Sequence, residues 1–117
     1  MEGKRVIIIE DIAPWQRVIA RHVIEAGHTI VGSATSLDEA LALVKKLQAL
    51  QVDVVTLDGN LTLGDGSGKE GRTILAEIRK NTPKVKIIGL SGDPMPAADI
   101  DLRKENVKSL GDAIAKL

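Results

Sequence analysis

Apolar residues along the chain keep switching between two periods, one suited to strands and one to helices. Arg5 to Ile9 is a continuous apolar run after its first residue, the pattern of a parallel strand covered on both faces. From Pro14 the positions Trp15, Val18, Ile19, His22, Val23 and Ala26 recur at helical spacing, with Pro14 suited to the first turn and Gly27 to the end. Thr29 to Gly32 predicts a short second strand. Ser36-Leu37-Asp38-Glu39 then reads as a capping box, opening a helix through Ala40, Leu41, Leu43, Val44 and Leu47 that stops near Leu50. Val52 to Leu57 predicts a third strand. Arg72 to Lys80 predicts a third helix with Ile74, Leu75 and Ile78 inward. Val85 to Leu90 predicts a fourth strand, and Pro83 marks the turn before it. Ile100 and Leu102 alternate with acids in a weak fifth strand. Val107 to Leu117 closes the chain as a helix with Leu110, Ile114 and Leu117 on one stripe.

Strand and helix in alternation define the α/β class, and right-handed crossovers wind such units into an open, doubly wound parallel sheet. With 117 residues, 44% of them hydrophobic and 27% charged, the chain fits one compact domain with no output domain beside it. Lys plus Arg balances Asp plus Glu at 16 each, so no overall field draws the chain to nucleic acid or to a membrane surface, and neither DNA binding nor membrane association is expected. The absence of cysteine excludes disulfides and thiolate metal sites and fits a reducing compartment. Val6 to Ile9 is far shorter than the roughly 20 residues that span a bilayer. A cytoplasmic location is the expectation.

In open sheets of this kind, ligands sit beyond the carboxyl ends of the strands, where the strand order reverses. The predicted carboxyl ends carry Glu10-Asp11, Asp58, Ser91 and, after Arg103, Lys104. Each residue alone has an ordinary explanation as a helix cap, a turn residue or a solvated charge. Together they are a chemical set. Converging carboxylates repel one another and either take up protons or gather a cation. Oxygen ligands without His or Cys favour a hard ion, and Mg²⁺ accepts few protein ligands while keeping waters. A carboxylate beside such an ion, with a hydroxyl and an ammonium to receive phosphoryl oxygens, is equipped to accept a phosphoryl group.

These residues, in this order at these strand ends, resemble the receiver domain of two-component response regulators, and the likeness covers essentially the whole chain. The resemblance implies a flavodoxin-like five-stranded sheet in the order 2-1-3-4-5. It also implies transfer of phosphate from the phosphohistidine of a sensor histidine kinase or phosphotransfer protein to an aspartate, Asp58. By the same resemblance Asp11 and Asp58 would ligate Mg²⁺ by side chain, Asn60 by its backbone carbonyl, and Glu10 through a water. Ser91 would bond the phosphoryl group and Lys104 would pair with it. The protein is then expected to be no enzyme beyond self-catalysed phosphorylation and dephosphorylation. Its output would be contact with a downstream protein partner that the sequence does not name, and homodimerisation stays open.

The departures from that pattern matter too. Residues 92–103, twelve in all, separate Ser91 from Lys104, and Gly92-Asp93-Pro94-Met95-Pro96 opposes a regular helix. A helical crossover needs about 10 to 12 residues, so a loop or a single turn is expected in place of the family's fourth helix. The chain has no Tyr or Phe, so the inward aromatic residue that many relatives carry on strand five is missing, and Glu105 replaces the proline that usually follows the lysine. These losses leave an alternative, a receiver-fold interaction module signalling independently of phosphorylation, but the presence of every pocket side chain favours the phosphate-accepting switch.

The segment 61–71 is longer than the family's usual connection. Within it Gly66-Ser67-Gly68-Lys69-Glu70-Gly71 fits G-x-G-x-x-G, a remote hint of nucleotide binding weakened by the gap after Leu57. A flap ordered by a partner is the better reading of this segment. Trp15, the only aromatic residue, reads as core packing, and His22 and His28 are too few for a metal cluster.

Overall fold

The structure, a computed structural model, describes residues 3–58, 69–91 and 98–117, with only the backbone described at Lys69, Glu70 and Ser91. Strands β1 (Arg5–Ile9), β2 (Thr29–Ala34), β3 (Val54–Leu57), β4 (Lys86–Ser91) and β5 (Ile100–Arg103) form one parallel sheet in the order β2-β1-β3-β4-β5. Helices α1 (Ala13–Glu25), α2 (Leu37–Val44) and α3 (Lys69–Asn81) make the crossovers. A 3₁₀ segment, Lys104–Ser109, leads into the closing helix α4 (Leu110–Ala115).

Side-chain alternation sorts the core into two layers. Ile7, Ile9, Val55, Leu57 and Ile87 point to the side covered by α2 and α3. Val6, Ile8, Val54, Ile88 and Leu90 point to the other, under α1 and α4. At α2 the Ser36 hydroxyl accepts from Glu39 N–H at 3.2 Å, while Glu39 Oε1 accepts from the Thr35 amide at 2.7 Å. The capping box is therefore made, with its return bond one residue further out. Helix α4 is tied down by His28. That ring accepts from Lys4 N–H through Nδ1 at 2.9 Å, which leaves Nε2 to donate to the Gly111 carbonyl at 3.2 Å. Gly111 itself is required by contact, because a Cβ there would run into Ala26 Cβ at the end of α1.

One difference from the sequence reading concerns the end of the chain, and one expectation there holds. The closing helix is shorter than Val107 to Leu117: its start is 3₁₀, interrupted by non-helical backbone at Asn106, and regular helix begins only at Leu110. Between Ser91 and Ile100 lie residues 92–99, eight in all, fewer than a helical crossover requires. As the sequence reading expects, no helix lies between β4 and β5 among the described residues, and β5 suits a connection without one. Ile100 and Leu102 turn inward to the α1 layer, whereas Asp101 and Arg103, on the face that such a helix would cover, are exposed charges.

Candidate functional site

The two-residue alternation that builds the core also builds the site. Val6, Ile8, Val54, Ile100 and Leu102 all face the α1 layer, so the same alternation continued along each strand brings Glu10, Asp58 and Lys104 to that side. Backbone pairing continues that far: Glu10 N–H donates to Ala34 O at 3.0 Å, and Asp58 N–H to Ile9 O at 3.0 Å. The acids therefore stand on the last rung of the sheet, where β1 and β3 are neighbours and their crossovers leave in opposite directions.

Glu10 and Asp58 are buried, at 0% and 5% exposure, and Asp11 is half-buried. Each of the three offers an oxygen within 4.8 Å of the others. Lys104 Nζ reaches in from the end of β5, 2.6 Å from Glu10 Oε1 and 3.5 Å from Asp58 Oδ2. The contact with Glu10 is the closer of the two. One ammonium does not neutralise three carboxylates. Burial, and next the hydrogen bond with Asp58, push the Glu10 carboxyl up to about 8 against the pull of Lys104. Burial and then Asp58 raise Asp11 as well.

Asp11 Oδ1 is buried without a hydrogen-bond partner, an unsatisfied state that calls for a ligand. An all-oxygen donor set with an orphaned carboxylate oxygen and surplus negative charge fits a hard divalent cation such as Mg²⁺. Ser91 ends β4 with its backbone in register with Arg103, at the same edge as Asp58, but its side chain lies outside what is described. Asn60 lies outside the described residues, as does most of the segment 61–71 with its glycine pattern.

Trp15 packs on the α1-side core as its helix position predicts, but it is half-buried, and Lys104 Nζ lies 5.5 Å from its ring centroid, a contact the sequence reading did not include. The available signal was its place in the first turn after the Glu10-Asp11 rim.

Comparison with known proteins agrees with this geometry. The response regulator receiver domain family matches residues 6–109. The chemotaxis protein CheY of Thermotoga maritima is 33% identical over 106 residues, covering 91% of this chain and 82% of CheY. The receiver domain of RcsB from Escherichia coli superposes with a TM-score of 0.75 at 25% identity, covering 97% of this chain and 92% of that one. The RcsB response regulator of Salmonella typhimurium gives a TM-score of 0.76 at 25% identity. The match takes in 98% of this chain, which spans only 59% of that RcsB chain. The chain belongs to the response regulator receiver domain family of two-component signalling. Among the described residues, no helix is long and apolar enough to cross a membrane.

Proposed function

We propose that the protein is a phosphoacceptor switch in which Asp58 takes a phosphoryl group from the phosphohistidine of a sensor histidine kinase or phosphotransfer protein. The observation that carries this reading is the meeting of Glu10, Asp11 and Asp58 oxygens within 4.8 Å, with Lys104 Nζ 3.5 Å from Asp58. An Asp58 oxygen attacks phosphorus, the donor's P–N bond breaks, and its electron pair returns to the imidazole nitrogen. The carboxylate becomes an acyl phosphate. Lys104, already beside Asp58, moves to a phosphoryl oxygen, and the Ser91 hydroxyl donates to another. Asp11, Asp58 and the Asn60 carbonyl would hold Mg²⁺, with Glu10 acting through a water. When bound, the ion supplies charge neutralisation for the transferring group.

Incubation with Mg²⁺ and acetyl phosphate, read by intact mass, tests the proposal. One phosphate should add to the native chain and none to Asp58→Asn; no addition to the native chain refutes it. The output would be contact with a downstream protein partner. A second reading, an interaction module working without phosphate, is favoured by the short β4–β5 connection, and the same experiment separates the two.

A further inference from the structure

Lys104 leaves β5 directly into a 3₁₀ segment whose start has no side-chain cap. Its backbone neighbours give the side chain little definition: Arg103 and Glu105 are exposed and pair loosely with each other at 3.9 Å. Yet its side chain is only 17% exposed and its ammonium lies beside the acids. Among the described residues, three groups surround Nζ: Glu10 at 2.6 Å, Asp58 at 3.5 Å and the Trp15 ring at 5.5 Å from its centroid.

Two of these contacts cannot persist through the cycle proposed above. Asp58 exchanges a carboxylate for an acyl phosphate, and Glu10 is drawn toward any cation that enters. The indole neither titrates nor ligates. It is anchored by α1 and by packing on the apolar layer between that helix and the sheet, and an aromatic ring has only two torsions to fix. Its π face attracts an ammonium within about 6 Å, and the attraction strengthens as water is excluded. Trp15 is therefore the one constant contact of Lys104 among the described residues.

We propose that Trp15 is a positioning residue for Lys104: its indole face holds the ammonium over the pocket while the acids around it change partners. This rests on the phosphoacceptor reading, and one arm of the test is independent of it. In the first arm, acetyl phosphate and Mg²⁺ are supplied and phosphate incorporation is timed by intact mass. Trp15→Leu, which keeps apolar bulk but removes the π face, should slow incorporation about two- to fivefold, the range set by a partly desolvated cation–π contact. Trp15→Phe should recover most of that loss. In a Lys104→Met background, Trp15→Leu should add nothing. Equal rates in the Leu and Phe variants, or effects that multiply independently of Lys104, overturn the proposal.

The second arm uses no phosphodonor. Because Trp15 is the only aromatic residue, its emission is read without interference, and Lys104→Met should change its intensity or maximum while leaving the far-ultraviolet circular dichroism intact. Unchanged emission overturns the proposal even if phosphate is accepted. If the native chain takes no phosphate, the phosphoacceptor reading fails and this arm alone decides whether the indole holds Lys104.

Discussion

Asp99 is clasped by Arg79 at 3.0 Å, guanidinium to carboxylate, which ties the last turn of α3 to the start of β5. The same Asp99 Oδ2 accepts from Ile87 N–H at 2.8 Å, and Asp99 N–H donates to Ile87 O at 2.9 Å. Arg79 also donates to Val85 O at 3.4 Å. One side chain from the last turn of α3 and one just before β5 thus fix the register in which β5 joins β4. Hydrogen bonds to charged groups are worth about 1.5–3 kcal/mol, and partial exposure, 31% and 25% for the pair, lowers the Arg79 contribution. Asp99→Ala should therefore cost about 1.5–3 kcal/mol and Arg79→Ala about 1 kcal/mol in urea unfolding. A double-mutant cycle should show coupling, and strictly additive effects would mean that the clasp does not act as a unit.

The pocket should make cation-free protein sensitive to pH. Glu10 ordinarily loses its proton near 4.5, and burial followed by the Asp58 hydrogen bond moves that to about 8. Between these values the folded state holds a proton that the unfolded chain has released, so stability must fall as pH rises through the window. Asp11, also raised, acts in the same direction. The melting temperature in chelator should decline from about pH 5 to about pH 8, and Glu10→Gln should flatten the decline. A decline of the same slope in Glu10→Gln would assign it to other groups.

Much of this was readable before the fold was known, for definite reasons. Strand β1 keeps its predicted bounds, Arg5–Ile9, because a strand buried on both faces is written as an unbroken apolar run. Strand β2 extends two residues past Gly32 because Ser33 and Ala34 pair with Ile8 and Ile9 of β1, a register that composition does not display. The site acids were legible because strand ends are legible. Trp15 over Lys104 was not, since it depends on how α1 lies across the sheet toward the end of β5. Nor was the clasp between Arg79 and Asp99, which joins residues twenty apart.

A divalent cation should stabilise the fold by binding the ionised acids. With Mg²⁺ at about a hundred times its dissociation constant, the gain is about 2.7 kcal/mol, read as a rise in melting temperature over the same protein in chelator. The rise should grow from pH 6 to pH 8, roughly, as cation and proton compete for Glu10 and Asp11. Asp11→Asn, which weakens the orphaned oxygen's hold on a cation, should abolish most of it. A shift that survives in Asp11→Asn would place the ion elsewhere.

Thr56 supplies a prediction of the opposite sign. It lies in the middle of β3, 1% exposed, in register with Ile8 on one side and Ile88 on the other, and its Oγ1 has no hydrogen-bond partner. Burying an unpaired hydroxyl costs about 1–3 kcal/mol. Valine keeps the branched shape that suits a strand and removes the unpaired oxygen, so Thr56→Val should stabilise the protein by about 1 kcal/mol. Thr56 and Asp58 are two residues apart on the same face, but the hydroxyl bonds neither Asp58 nor Glu10. Cation binding should therefore be unchanged while the urea midpoint rises at constant slope. A loss of stability in Thr56→Val would show that the hydroxyl has a partner in solution and that this rung of β3 is wetter than its burial indicates.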